Sequence, residues 1–191
     1  MKVVSISLAG FRGYKNLMKV SIGDFTAFVG KNDIGKSTIL EALDIFFNDG
    51  KTCGKLEKTD INKACLQAGN DEIVISVEFS DLPERITIDT AVETTLAAEY
   101  MLNNNGNLEI VKKYKNAGSP KVYIRAMHPT NPCCANLLQK KNADLRGIIR
   151  ENNITCENQN ANAPMRAAIW SHYADDLQIQ EIEIVTAKED A

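Results

Sequence analysis

Gly30-Lys31-Asn32-Asp33-Ile34-Gly35-Lys36-Ser37 fits the spacing G-x-x-x-x-G-K-[ST] of a phosphate-binding loop. The flanking residues supply the context such a loop needs. Phe25-Thr26-Ala27-Phe28-Val29 is an apolar run of buried-strand length, and Ile39, Leu40, Leu43, Phe46 and Phe47 recur at helical spacing until Asn48-Asp49-Gly50 ends the helix. A glycine-rich turn between strand and helix directs successive backbone N–H groups inward, and the helix dipole adds its positive end, so phosphates are held without a side-chain base. Lys36 is the mobile cation for the β- and γ-phosphates, and the Ser37 hydroxyl is the expected protein ligand of a Mg²⁺ ion that keeps most of its waters. The expected ligand-binding set is therefore Gly30, Lys31, Asn32, Asp33, Ile34, Gly35, Lys36, Ser37 and Thr38, with ATP and Mg²⁺ as cofactors. Gly50-Lys51-Thr52 imitates the end of the motif, but Ile45 stands where its first glycine would be.

The 191 residues are 44% hydrophobic with a formal net charge of −3, enough for one globular domain and poorly suited to a generic polyanion binder. Five cysteines form an odd set without C-x-x-C pairs and read as reduced thiols. No apolar stretch is long enough to span a bilayer, so the expected compartment is the cytoplasm. Alternation at Val4, Ile6 and Leu8, then at Val20 and Ile22, predicts two strands ahead of the loop strand. A further strand is expected over Ile73 to Phe79, a short helix over Thr94 to Leu102 and a hairpin from Leu108 to Ala126 around Gly118-Ser119-Pro120. Beyond it come helical pieces from Leu137 to Ile149, a helix beginning at Pro164 and carrying Met165, Ile169, Trp170, Tyr173 and Leu177, and a last strand at Ile182 and Ile184. The apolar faces of the loop strand and loop helix predict burial of Phe28, Val29, Leu40, Leu43 and Ile75.

A GTPase would need N-K-x-D, and Asn62-Lys63-Ala64-Cys65 fails at its last position. A small-molecule kinase would open on the loop strand and carry an Arg-rich lid, neither of which the sequence displays. The N-terminal strand, Phe11-Arg12-Gly13-Tyr14, a second strand, and the loop running into Ser37-Thr38-Ile39-Leu40-Glu41-Ala42-Leu43 instead resemble the ATPase heads of the ABC-type RecF, SMC and OLD (overcoming lysogenization defect) group, the OLD family above all. The resemblance implies an α/β fold, the N-terminal lobe of an ABC-type head, with a mixed sheet, an antiparallel β portion and helices. It also implies a dimeric ATP-dependent machine acting on DNA, often in defence against phage, with a Toprim nuclease in the larger members.

By the same resemblance Arg12 approaches the nucleotide. The signature motif, acidic Walker B strand and switch His of such heads, like the Toprim domain, have no counterpart in residues 1–191, so the chain is expected to be one lobe of a longer ATPase and to self-associate or bind a partner chain. Ile73 to Asp81 is read as part of the antiparallel portion. The γ-phosphate-sensing Gln is left among Gln139, Gln178 and Gln180. Lys112, Lys113, Lys115, Lys121 and Arg125, with Lys140, Lys141, Arg146 and Arg150 further on, are read as solvated charge, and His128 and His172 as structural. The alternatives to such an ATPase are a nucleotide-binding assembly module whose partner supplies catalysis, or a small-molecule P-loop kinase.

Overall fold

The computed structural model describes residues 1–31, 35–89 and 92–184. In chain order the elements are β1 (Lys2–Ala9), β2 (Met18–Ser21), α1 (Lys36–Asn48), α2 (Lys63–Gln67), β3 (Glu72–Ser80), β4 (Ile86–Asp89), β5 (Val92–Thr94), β6 (Leu108–Lys115), β7 (Lys121–Pro129), α3 (Asn142–Glu151), α4 (Asn162–His172) and β8 (Leu177–Ile184). They fall into two compact units, Met1–Ser80 with Glu109–Tyr123, and Asp81–Leu108 with Ile124–Ala191.

In the first unit β1 lies antiparallel to both β2 and β3, with Ile6 opposite Val20 on one side and Val77 on the other, and β6 follows β3. The antiparallel setting of β3 agrees with its expected place in the fold. Ile6, Leu8, Ile73, Ile75 and Val77 are fully buried, and α1 packs on β1 and β3, burying Ile39, Ala42, Ile45 and Phe46. The strands are less one-sided than their alternation suggests, because Ser5, Ser7, Ser76 and Glu78 are buried too. The polar atoms of Ser5, Ser76 and Glu78 are matched. Glu78 Oε2 accepts from Ser5 Oγ at 2.8 Å and from Lys19 Nζ at 2.7 Å, and Ser76 Oγ donates to Glu109 Oε1 at 3.1 Å. The helix stop falls where expected: Asp49 takes the left-handed conformation and Gly50 follows at φ +70°, where a Cβ would lie 2.2 Å from the Gly54 carbonyl oxygen.

The run Phe25 to Val29 departs from expectation, since it forms no strand. Phe25 and Val29 are each 89% exposed and Phe28 is half-buried. An extended apolar run becomes a strand only where a neighbour completes its hydrogen bonds. No strand of the described residues pairs with it. Leu40, 56% exposed, turns away from the core while Leu43 is half-buried, so of the residues expected inside only Ile75 is fully buried.

The second unit builds its core from Cys134, Leu137, Leu145, Ile149, Ile154, Met165, Ile169 and Trp170. Arg166 and Glu99, both almost wholly buried, form a two-pronged ion pair with both N···O distances 2.9 Å. Two helical expectations are corrected here. Thr94 to Leu102 is the end of β5 followed by hydrogen-bonded turns, in which Met101 N–H meets the Leu96 carbonyl. Pro164 stands at the third position of α4 rather than the first, and the helix ends at His172, so Leu177 belongs to β8. Asp175 and Asp176 lie in the intervening turn, with Asp176 accepting from the Thr130 hydroxyl. Among the described residues no helix is long and apolar enough to cross a membrane.

Candidate functional site

The loop enters α1 through Gly35, whose φ of +92° is left-handed and favours glycine. Tyr14 braces this point: its hydroxyl donates to the Gly35 carbonyl at 3.1 Å, and a Cβ on Gly35 would sit 2.6 Å from that hydroxyl oxygen. Lys36, the first residue of α1, folds back over the loop, its Nζ donating to the Gly30 carbonyl at 2.7 Å and the Lys31 carbonyl at 2.5 Å. Ser37 is exposed and Thr38 buried. Asn32, Asp33 and Ile34, the variable part of the motif, lie outside the described residues.

Arg12 reaches the same helix. Residues Phe11 to Tyr14 form a tight turn closed by Tyr14 N–H to the Phe11 carbonyl at 2.8 Å, with Arg12 at φ +46°. The segment around Asp60 holds it: Arg12 N–H donates to the Asp60 carbonyl at 2.7 Å, and the Asn62 side chain donates to the Arg12 carbonyl at 2.6 Å. The Arg12 guanidinium bridges Asp60, at 2.8 Å, and Glu41 of α1. Beside it opens a cavity of about 390 Å³ lined by Arg12, Thr59, Ile61, Asn62, Lys63 and Ala64. Sequence reasoning missed Tyr14, Glu41 and Asp60 as parts of this arrangement, because nothing in their local spacing announces contacts made across 21 to 48 residues.

Other candidates are engaged elsewhere. Gln139, Gln178 and Gln180 hydrogen-bond to Glu183, Asp176 and Pro129 within the second unit. Lys112 binds the Phe46 carbonyl near Asp49, and Lys113 lies over the Tyr123 ring. His128 is structural: burial pushes its pKa down, and its ring faces the Tyr100 and Cys134 carbonyls in the core. All five cysteines are free thiols, and burial pushes Cys134 up to about 11 and Cys53, beside Asp44, likewise to about 11, so neither is a ready thiolate. Among the described residues no cluster of His, Cys, Asp and Glu suits a metal ion.

The described ends of the loop combine features that a triphosphate site requires: left-handed Gly35, a lysine lying on the Gly30 and Lys31 carbonyls, an exposed Ser37 and a helix N-terminus. A search of curated proteins finds no match. A solved SMC ATPase, described with its ATP-driven dimerization and DNA-stimulated activation, is 15% identical with a TM-score of 0.43, over 65% of this chain and 69% of that one. The AAA_15 family, described as the AAA ATPase domain, matches residues 1–191. With its phosphate-binding loop sequence leading into α1, the chain belongs to this AAA ATPase domain family.

Proposed function

We propose that the chain binds ATP with Mg²⁺ through Gly30 to Thr38 as the N-terminal lobe of a cytoplasmic, OLD-like ATPase that self-associates and powers a DNA-directed activity. The observation that carries the nucleotide site is Lys36 lying across the loop on the Gly30 and Lys31 carbonyls, with left-handed Gly35 opening α1 beneath it. In this reading the Lys36 ammonium moves from those carbonyls to the phosphate oxygens, the loop N–H groups orient the triphosphate, and the Ser37 hydroxyl is the protein's magnesium ligand. Bound Mg²⁺ supplies charge neutralisation for phosphoryl transfer. Arg12, fixed by Glu41 and Asp60, flanks the cavity that takes the rest of the nucleotide. The exposed Phe25 and Val29 support the one-lobe assignment, since they offer apolar surface to a neighbour from outside the described residues. Isothermal titration of Mg·ATP into the parent chain and Lys36→Ala tests the site. The variant is expected to bind at least about tenfold more weakly, ~1.4 kcal/mol. Equal affinities would refute the assignment.

A further inference from the structure

The second unit contains a groove of about 900 Å³ along α3, lined by Asn142, Arg146, Gly147, Arg150, Asn153 and Gln159 over Ile149 and Ile154. Charge pairing singles it out. Of the six arginines in the sequence, Arg12, Arg85, Arg125 and Arg166 each meet a carboxylate. Arg146 does not: its Nε donates to the Gln159 carbonyl at 2.9 Å and its Nη2 to Asn160 Oδ1 at 3.3 Å, both neutral acceptors. Arg150 is exposed and makes no ion pair with the described residues. The two uncompensated guanidinium groups therefore stand four residues apart, on one face of one helix and in one groove. Of the two acids within α3, Asp144 is turned to the helix start, where its carboxylate accepts from Lys141 N–H at 3.2 Å, and Glu151, next to Arg150 in sequence, is exposed and makes no ion pair with the described residues.

We propose that this groove is a second ligand site, separate from the phosphate-binding loop, for a phosphorylated small molecule. Guanidinium forks match phosphate oxygens, and Arg146 is already oriented by its two neutral acceptors. The Asn142, Asn153 and Gln159 amides both donate and accept, which suits hydroxyls or a polar ring on the remainder of the ligand. Gly147 leaves that part of the wall bare. The volume lies within the range of small-molecule sites, about 300–1,000 Å³. A nucleic-acid strand fits less well: two cations release few counterions, no aromatic ring lines the groove for base stacking, and the net charge of −3 repels a polyanion.

The test uses the 191-residue chain with pyrophosphate and AMP as probes, followed by calorimetry and by the Gly147 amide resonance. Either probe is expected to move that resonance, and Arg150→Gln to weaken its binding about tenfold. Because Arg150 makes no ion pair with the described residues, this variant should melt with the parent. Arg146→Gln combined with Arg150→Gln should abolish binding at the groove, while Lys36→Ala leaves it in place. That last arm separates failure here from failure of the nucleotide assignment. The proposal is overturned if Arg150→Gln binds both probes like the parent, if neither probe shifts Gly147 at millimolar concentration, or if Lys36→Ala removes all binding. Arg150-dependent binding of a 20-nucleotide strand about a hundredfold tighter than either probe would make this a nucleic-acid site instead.

Discussion

Gly35 carries two constraints at once, a left-handed backbone and the Tyr14 hydroxyl against the face where a side chain would begin. Gly35→Ala is expected to destabilise the chain by about 1–2 kcal/mol through the backbone alone, with the collision adding to it. Combining it with Tyr14→Ala removes the obstacle but not the dihedral cost, so the double variant should stay below Tyr14→Ala by about that 1–2 kcal/mol in urea denaturation. Full recovery would show that the loop tolerates a right-handed turn. Arg12 makes a related point. Resemblance aims it at the nucleotide, and its guanidinium is held between Glu41 and Asp60 beside the adjoining cavity. The consequence is that both carboxylates contacting Arg12 are already committed to a cation.

At the scale of the element, α1 separates what periodicity can specify from what only packing decides. Its apolar residues predicted a helix, and the helix is present, but Leu40 faces out while Ile45 is buried against the sheet. Ile45→Ala should cost about 2–5 kcal/mol and Leu40→Ala less than about 0.5 kcal/mol, measured by thermal or chemical unfolding. A large loss from Leu40→Ala alone would mean that the solvent face of α1 is covered in solution. The helix and its stop at Asp49 and Gly50 were legible because motif, period and left-handed residues agree locally. β1, β3 and the β6–β7 hairpin were legible through alternation and turn residues. Phe25 to Val29 was not, because a strand depends on a neighbour that its own residues do not encode. Nor were the Thr94 to Leu102 turns, where Leu96 and Met101 are buried within an irregular segment held by turn hydrogen bonds. The tyrosine brace, the Arg12 bridges and the Glu99–Arg166 pair are tertiary and left no local trace.

For the whole molecule, binding and turnover should come apart. Phosphoryl transfer requires a group that orients the attacking water, and the proposed site consists of a cradle and a magnesium ligand without one. Phosphate release by the purified 191-residue chain is expected to stay near background; robust turnover that Lys36→Ala abolishes would reveal a catalytic carboxylate within it. The exposed Phe25 and Val29 lead to a physical prediction as well. Sedimentation velocity should show concentration-dependent association of the parent, reduced by Val29→Lys, and identical profiles would detach that surface from assembly. Lys36 meanwhile makes the loop its own first competitor. While its ammonium rests on the Gly30 and Lys31 carbonyls, the charge that should meet the triphosphate is withheld. Measured affinity is then the intrinsic affinity multiplied by the fraction of molecules in which the lysine is released. Solution conditions that loosen those two hydrogen bonds would tighten nucleotide binding without altering a single contact to the ligand.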